Sequence, residues 1–204
     1  MGFLSPTSAL TRYRVEGRIP GPVLEAVREG LTAHRIDDID NGAEQKSFGW
    51  TRIDHPFQPQ FDDSSFAIGD MFVFALRIDK KSIPPKVVKK HLNLELARRK
   101  LESGRDFLSR SEKQMAKEHV LNVLSLRIPA VPNVFDVVWH HDASELWCFS
   151  TQKAANDTLE TLFTRSFKLT LIRLFPYTLA ELRAGLSSAQ RDVLEKLTPT
   201  HFAE

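Results

Sequence analysis

The chain changes its period in the middle, and that change limits the folds open to it. Before Ile78 and after Val134, short apolar runs bounded by Gly and Pro read as strands, whereas Pro84 to Pro129 carries helix signals throughout. Pro84 and Pro85 start a helix, because a proline in the first turn lacks only an amide that has no helical partner, and Gly104 ends it. On a helical wheel Val87, Leu94, Ala97 and Leu101 form one apolar stripe, and Val88, Leu92 and Leu96 form a second. Such a helix is expected to be gripped on two sides. Lys86, Lys89, Asn93 and Lys100 share a narrow polar arc between the stripes, and His91, Glu95, Arg98 and Glu102 occupy the arc opposite. Ser111-Glu112-Lys113-Gln114 has capping-box spacing and predicts the start of a second helix. That helix continues through Met115, Val120, Leu121, Val123, Leu124 and Leu126 until Pro129 and Pro132 stop it. Its apolar positions spread around the wheel, so it reads as a largely buried partner that exposes Lys113 and Lys117.

The flanks read as α+β. Ser8 to Val15 is a strand, Val23 to Ile36 a helix with Val23, Leu24, Val27 and Leu31 on one face, and Ser47 to Ile53 extended. Ser65 to Ile68 and Met71 to Ile78 flank Gly69-Asp70, a pair suited to a tight turn. Beyond the helical pair, Val134 to His140 and Leu146 to Phe149 form a probable hairpin around His141 to Ser144. A helix follows from Lys153 to Arg165 with Ala155, Leu159, Leu162 and Phe163 as its stripe, then a strand from Leu169 to Phe175. Short helices around Thr178 to Ala184 and Ser187 to Leu197 finish the chain. The coarse order is βαββ, a long helical pair, ββαβ and a helical tail, which predicts antiparallel sheet layers with packed helices and an inserted basic helical hairpin. The expected divisions are a core from 1–80 and 130–176, the hairpin at 81–129 and the tail at 177–204.

Charge is segregated onto the hairpin. Lys80, Lys81, Lys86, Lys89, Lys90, Arg98, Arg99, Lys100, Arg105, Arg110, Lys113 and Lys117 face only Glu95, Glu102, Asp106 and Glu112, although the net charge of the whole chain is +2. Acids such as Asp37, Asp38, Asp40, Glu44, Asp62 and Asp63 balance them elsewhere. A confined positive surface on a near-neutral protein attracts a polyanion at one place, as a nucleic-acid-binding face requires. The alternative is a solvated basic hairpin that only aids solubility. No run of about 20 apolar residues could span a membrane. Met1 to Leu10 lacks the layout of a secretory signal, and the single Cys148 excludes an internal disulfide. A cytoplasmic protein is the expectation.

Catalytic patterns are weaker. Asp40 followed by Glu44-Gln45-Lys46 has the E-x-K form of a metal-dependent nuclease site, but it sits in one acidic loop that leaves little room for converging carboxylates. His140 and His141 are adjacent on a strand and point apart, so they cannot both bind one metal. His91 and His119 belong to the helical pair. Cys148, between Trp147 and Phe149, has no nucleophilic context. No Walker loop, dinucleotide fingerprint, helix-turn-helix, zinc spacing or ribonucleoprotein motif is present. Phe107 lies among Arg105, Arg110 and Lys113, where it reads either as a small core anchor or as a ring for stacking on a base.

A collinear set of residues resembles the bacterial recombination-associated protein RdgC family. It comprises Gly49-Trp50; Lys81-Ser82-Ile83-Pro84-Pro85 with Val87-Val88-Lys89; Arg110 with Glu112-Lys113; Lys117-Glu118-His119-Val120-Leu121; Trp139; and Ala154-Ala155-Asn156-Asp157-Thr158-Leu159 with Leu162. The resemblance implies a nucleoid-associated, ring-shaped homodimer that binds double-stranded DNA with little sequence preference. It implies also that the protein restrains RecA by occupying DNA; with the catalytic patterns so weak, the expectation is a protein that is not an enzyme and needs no cofactor. This chain is shorter than typical members, which continue through a C-terminal region that helps to close the ring. The alternative from another class is an interaction or oligomerisation module that does not bind DNA.

Overall fold

Alternation in Thr11-Arg12-Tyr13-Arg14-Val15 sends Tyr13 and Val15 to one face of a strand, where both are buried, and the arginines to the other. The computed structural model describes residues 2, 3, 5, 7–62 and 64–198. Asp63 and residues 199–204 of the expected tail lie outside the described residues. The elements are β1 (Thr11–Glu16), α1 (Val23–Ala33), β2 (Lys46–Thr51), β3 (Ala67–Ile68), β4 (Met71–Lys80), α2 (Pro85–Ser103) and α3 (Arg110–Ser125). They continue as β5 (Val131–His140), β6 (Glu145–Cys148), α4 (Lys153–Phe167), β7 (Thr170–Arg173), α5 (Pro176–Arg183) and α6 (Ser188–Glu195). The fold is α+β, as expected, and the extended stretch read at Ser47 to Ile53 is a strand too, so three strands lie between α1 and the helical pair where the coarse order βαββ counts two. The strands hydrogen-bond in the order β2-β4-β5-β6-β1-β7, with β3 beside β4.

The chain divides into two units, and β4 and β5 each pass through both. The first comprises Met1–Ala33, Phe61–Phe74 and Phe135–Glu204. In it β1 runs antiparallel to β6 on one side and β7 on the other, so that Tyr13 faces Leu146 and Arg173. The stripe expected on α4 is buried in full, joined by Asn156 and Phe167. Phe163 and Phe167 meet Trp139 of β5 at ring separations of 5.0 and 5.3 Å. Asn156 is satisfied inside this core. Its Oδ1 accepts from the Tyr13 hydroxyl at 2.7 Å, and its Nδ2 donates to the Ser150 and Gln152 carbonyls. Burial raises the Tyr13 pKa, so the hydroxyl remains a donor.

The second unit comprises His34–Gln60 and Ala75–Val134, so the helical pair groups with the β2 region and not by itself. β2 and β4 are antiparallel, from Lys46 opposite Lys80 to Thr51 opposite Ala75. Trp50, wholly buried, is also gripped from the other side: its amide donates to the His34 carbonyl at 2.9 Å and its carbonyl accepts from Ile36 at 3.0 Å. Gly49 is required by that close approach, since a methyl there would collide with the backbone of Arg35 and Ile36.

Two readings of the helical pair are corrected. The capping box lies at Ser109 and not Ser111: the Ser109 hydroxyl accepts from the Glu112 amide at 3.2 Å, and Glu112 Oε2 accepts from the Ser109 amide at 2.7 Å. Glu112 thereby places a negative charge at the positive end of α3, which the glutamine of the later register could not do. The α2 helix ends as expected, with Gly104 left-handed at φ 61°, but it has no buried residue. Only one stripe is covered along its length: Val88, Leu92 and Leu96 are half-buried, while of the other only Val87 is, and Leu94 and Leu101 are 60% and 85% exposed. Its partner α3 buries a single stripe, Ala116, Val120 and Leu124, together with Ser125.

Lys81 fixes the end of α3. It is 4% exposed, and its ammonium donates to the carbonyls of Asp40, Gly42 and Ser125 at 3.1, 2.8 and 2.7 Å. Ser125 is the last residue of α3, where unpaired carbonyls form the negative end of the helix dipole. All three ammonium donors are used. We expect Lys81→Met to lower stability by on the order of 3 kcal/mol, because it leaves three carbonyls without their donor. Urea denaturation would measure this, with Lys86→Met, at an exposed position, as a near-silent control.

Candidate nucleic-acid interface

Residues 91–98 of α2 line a cleft with residues 119–127, and residues 98–103 line another with 108–115, so the two helices run antiparallel as a hairpin. The twelve basic residues singled out in the sequence fall into three groups. Lys81 is inside, and its charge is engaged by carbonyls; it does not belong to a phosphate-facing surface. Arg98, Arg99 and Arg105 are bound to carboxylates: Arg98 to Glu95 and Glu102, Arg99 to Glu95, and Arg105 to Glu112 at 2.6 Å. Lys80, Lys86, Lys89, Lys90, Lys100, Arg110, Lys113 and Lys117 are exposed. None of these eight is ion-paired among the described residues.

Helical spacing explains the division. Glu95 lies three residues before Arg98 and four before Arg99, within reach of both, whereas no acid lies three or four positions from Lys86, Lys89 or Lys100. The outer side of α2 thus carries Lys86, Lys89, Lys90 and Lys100 beside Asn93 and Ala97, all exposed. From Lys86 to Lys100 the arc extends roughly 21 Å at 1.5 Å per residue, long enough to lie along several duplex phosphates.

At the tip, the turn from Gly104 to Ser109 presents Phe107 at 84% exposure, while Leu108 is the residue that anchors the turn. Of the two readings of Phe107, the core anchor is therefore excluded. Leu101 and Met115 are also exposed, at 85% and 51%. The sequence did carry a signal for Phe107, since Arg105-Asp106 and Ser109-Arg110 flank the Phe107-Leu108 pair and a single apolar neighbour suffices to hold so short a turn.

The residues considered for catalysis have other engagements. The Asp40 carboxylate accepts from the Ala130 amide at 2.7 Å, and the Asp40 carbonyl accepts from Lys81. Lys46 lies 5.4 Å over the Phe48 ring. His140 and His141 diverge as expected: the first pairs with Asp70 at 2.7 Å, and the second with Asp142 at 3.3 Å. Cys148 is fully buried, which pushes its thiol up to about 12. Among the described residues no group of His, Cys, Asp or Glu is arranged to hold a metal, and no helix is long and apolar enough to cross a membrane.

A family model described as "RdgC: Putative exonuclease, RdgC" matches residues 8–174. No match was found among curated proteins. The matched segment takes in every element from β1 to β7, the whole hairpin included, and stops before α5.

The two clamped carboxylates make the hairpin acid-sensitive. Hydrogen bonds from Arg98 and then Arg99 lower Glu95 from 4.5 to about 2. Those from the Ser109 amide and side chain, and from Arg105, lower Glu112 likewise to about 2. Because both folded values lie below the unfolded ones, their stabilisation is complete above about pH 4.5 and is lost as pH falls toward 2. Helical circular dichroism followed from pH 6 to about pH 2 should fall over that window, and Glu95→Gln should remove part of the pH dependence.

Proposed function

We propose that this chain, which belongs to the RdgC family, binds double-stranded DNA with little sequence preference through the outer side of its helical hairpin. The observation that carries this reading is the set of exposed lysines on α2, Lys86, Lys89, Lys90 and Lys100, which no acid neutralises among the described residues. Lysines that meet phosphates release condensed counterions, a driving force indifferent to base sequence. Lys113, Lys117 and Arg110 extend the same charge along the first turns of α3, and Lys80 adds to it at the end of β4. Phe107 at the tip offers a ring to an unstacked base, in a position that arginine and lysine flank.

On this reading the protein acts at the nucleoid as a homodimer, and it restrains RecA by occupying the duplex on which the recombinase would assemble. It holds DNA and does not cleave it. The engagement of Asp40 with Ala130, and of Lys46 with Phe48, supports attachment over the nuclease alternative, because both groups hold structure. The exposed apolar residues of α2 favour the second reading, a module for protein association; its sign would be a complex that ignores DNA and survives high salt.

Replacing Lys86, Lys89 and Lys100 together by Glu should weaken duplex binding by a similar factor for unrelated sequences. It should also flatten the log-log salt slope by about 0.9 for each phosphate that the variant no longer neutralises. Fluorescence anisotropy with two unrelated duplexes would measure both, and circular dichroism would confirm that the exposed substitutions leave the helices formed. Unchanged affinity in the folded triple variant would remove the hairpin from DNA binding.

A further inference from the structure

On a different side of α2 from the lysine arc, the seam between the two helices opens into a cleft of about 240 Å³. Its walls are aliphatic: Leu94 from α2 meets Val123 and Leu124 from α3. Leu94 is 60% exposed although a leucine at the centre of a helix ordinarily finds cover. The rim is rich in nitrogen. His91 and Arg98 stand on one side, His119 and Arg127 on the other.

Charge complementarity defines what this cleft can hold. Glu95 is the one carboxylate in the lining, and Arg98 and Arg99 already clamp it, so it presents no free negative charge. Among the described residues the Arg127 guanidinium has no ion pair or side-chain hydrogen bond, and neither histidine ring has a partner. An anion is therefore welcome at the rim, and an apolar group is welcome on the walls. The lining has no Phe, Tyr or Trp, and its aliphatic walls accept a hydrophobic side chain. A guanidinium beside such a pocket suits a carboxylate that flanks the inserted side chain.

We infer that the α2–α3 cleft is a docking site for an acidic peptide segment of a partner protein that carries a large apolar side chain. The site is separate from the lysine arc, and the inference does not depend on duplex binding. Neither Leu94 nor Arg127 belongs to the set of residues proposed to contact DNA.

Fluorescence anisotropy of the full chain with a fluorescein-labelled Asp-Glu-Asp-Leu-Phe-Asp-Glu-Asp peptide tests the inference. Saturable binding is expected, weakened by about tenfold or more when Leu-Phe is replaced by Ser-Ser, and again in Leu94→Glu and in Arg127→Glu. Both positions are exposed, and Arg127→Gln provides a milder variant if Glu disturbs the helices. The inference fails if the peptide does not bind, if the Ser-Ser peptide binds equally well, or if folded variants retain full affinity. It fails also if an unlabelled single-stranded oligonucleotide displaces the peptide and loses its own binding in the same variants, which would assign the cleft to nucleic acid.

Discussion

One buried ammonium sets where the hairpin ends and how the loop beside it is held. Lys81 follows the last residue of β4, and its side chain turns inward to carbonyls of the loop at Asp40 and Gly42 and to the end of α3 at Ser125. A lysine without a carboxylate partner is costly to bury, and the cost is met by three hydrogen bonds and the negative end of a helix dipole. The same loop returns a bond, because the Asp40 carboxylate receives the Ala130 amide just beyond α3. The hairpin is thus anchored at its base by polar contacts, and toward its tip by the packing of α2 on α3 and the Ser109 cap.

Within the hairpin the basic side chains fall into two kinds. Planar guanidinium groups suit bidentate pairing with carboxylates, and Arg98 engages Glu95 through two nitrogens while Arg99 shares the same acid. These bonds stiffen a helix that has no buried residue of its own. The lysines, compact charges on flexible stems, remain on the outside without acid partners. Counting basic residues overstates the interface: of the twelve, eight remain to face a polyanion once the buried lysine and the three paired arginines are set aside.

Much of this was legible in the residues. Pro84, Pro85 and Gly104 bound α2 nearly as the structure does, because proline and glycine act through local backbone geometry that needs no tertiary context. The α4 stripe could be read because every member points into one core. The stripe of Leu94, Ala97 and Leu101 on α2 was misread, since periodicity shows which side chains share a face but not whether anything covers that face. Lys81 could not be separated from its neighbours either: its three partners are backbone carbonyls, 39, 41 and 44 positions away in the chain, and carbonyls leave no mark in a sequence. The capping box was misplaced by two residues because two serines precede Glu112 and Gln114 with the same spacing. The polar arc of Lys86, Lys89, Asn93 and Lys100 could be drawn on a helical wheel, and all four are exposed.

The most direct test is the affinity of the purified protein for fluorescent duplexes of unrelated sequence across a salt series, with cleavage followed in parallel in Mg²⁺. The account predicts similar affinity for each duplex, a log-log salt slope of several units at about −0.9 per phosphate, and intact DNA. Absence of binding at low salt, or binding that salt leaves unchanged, would contradict it.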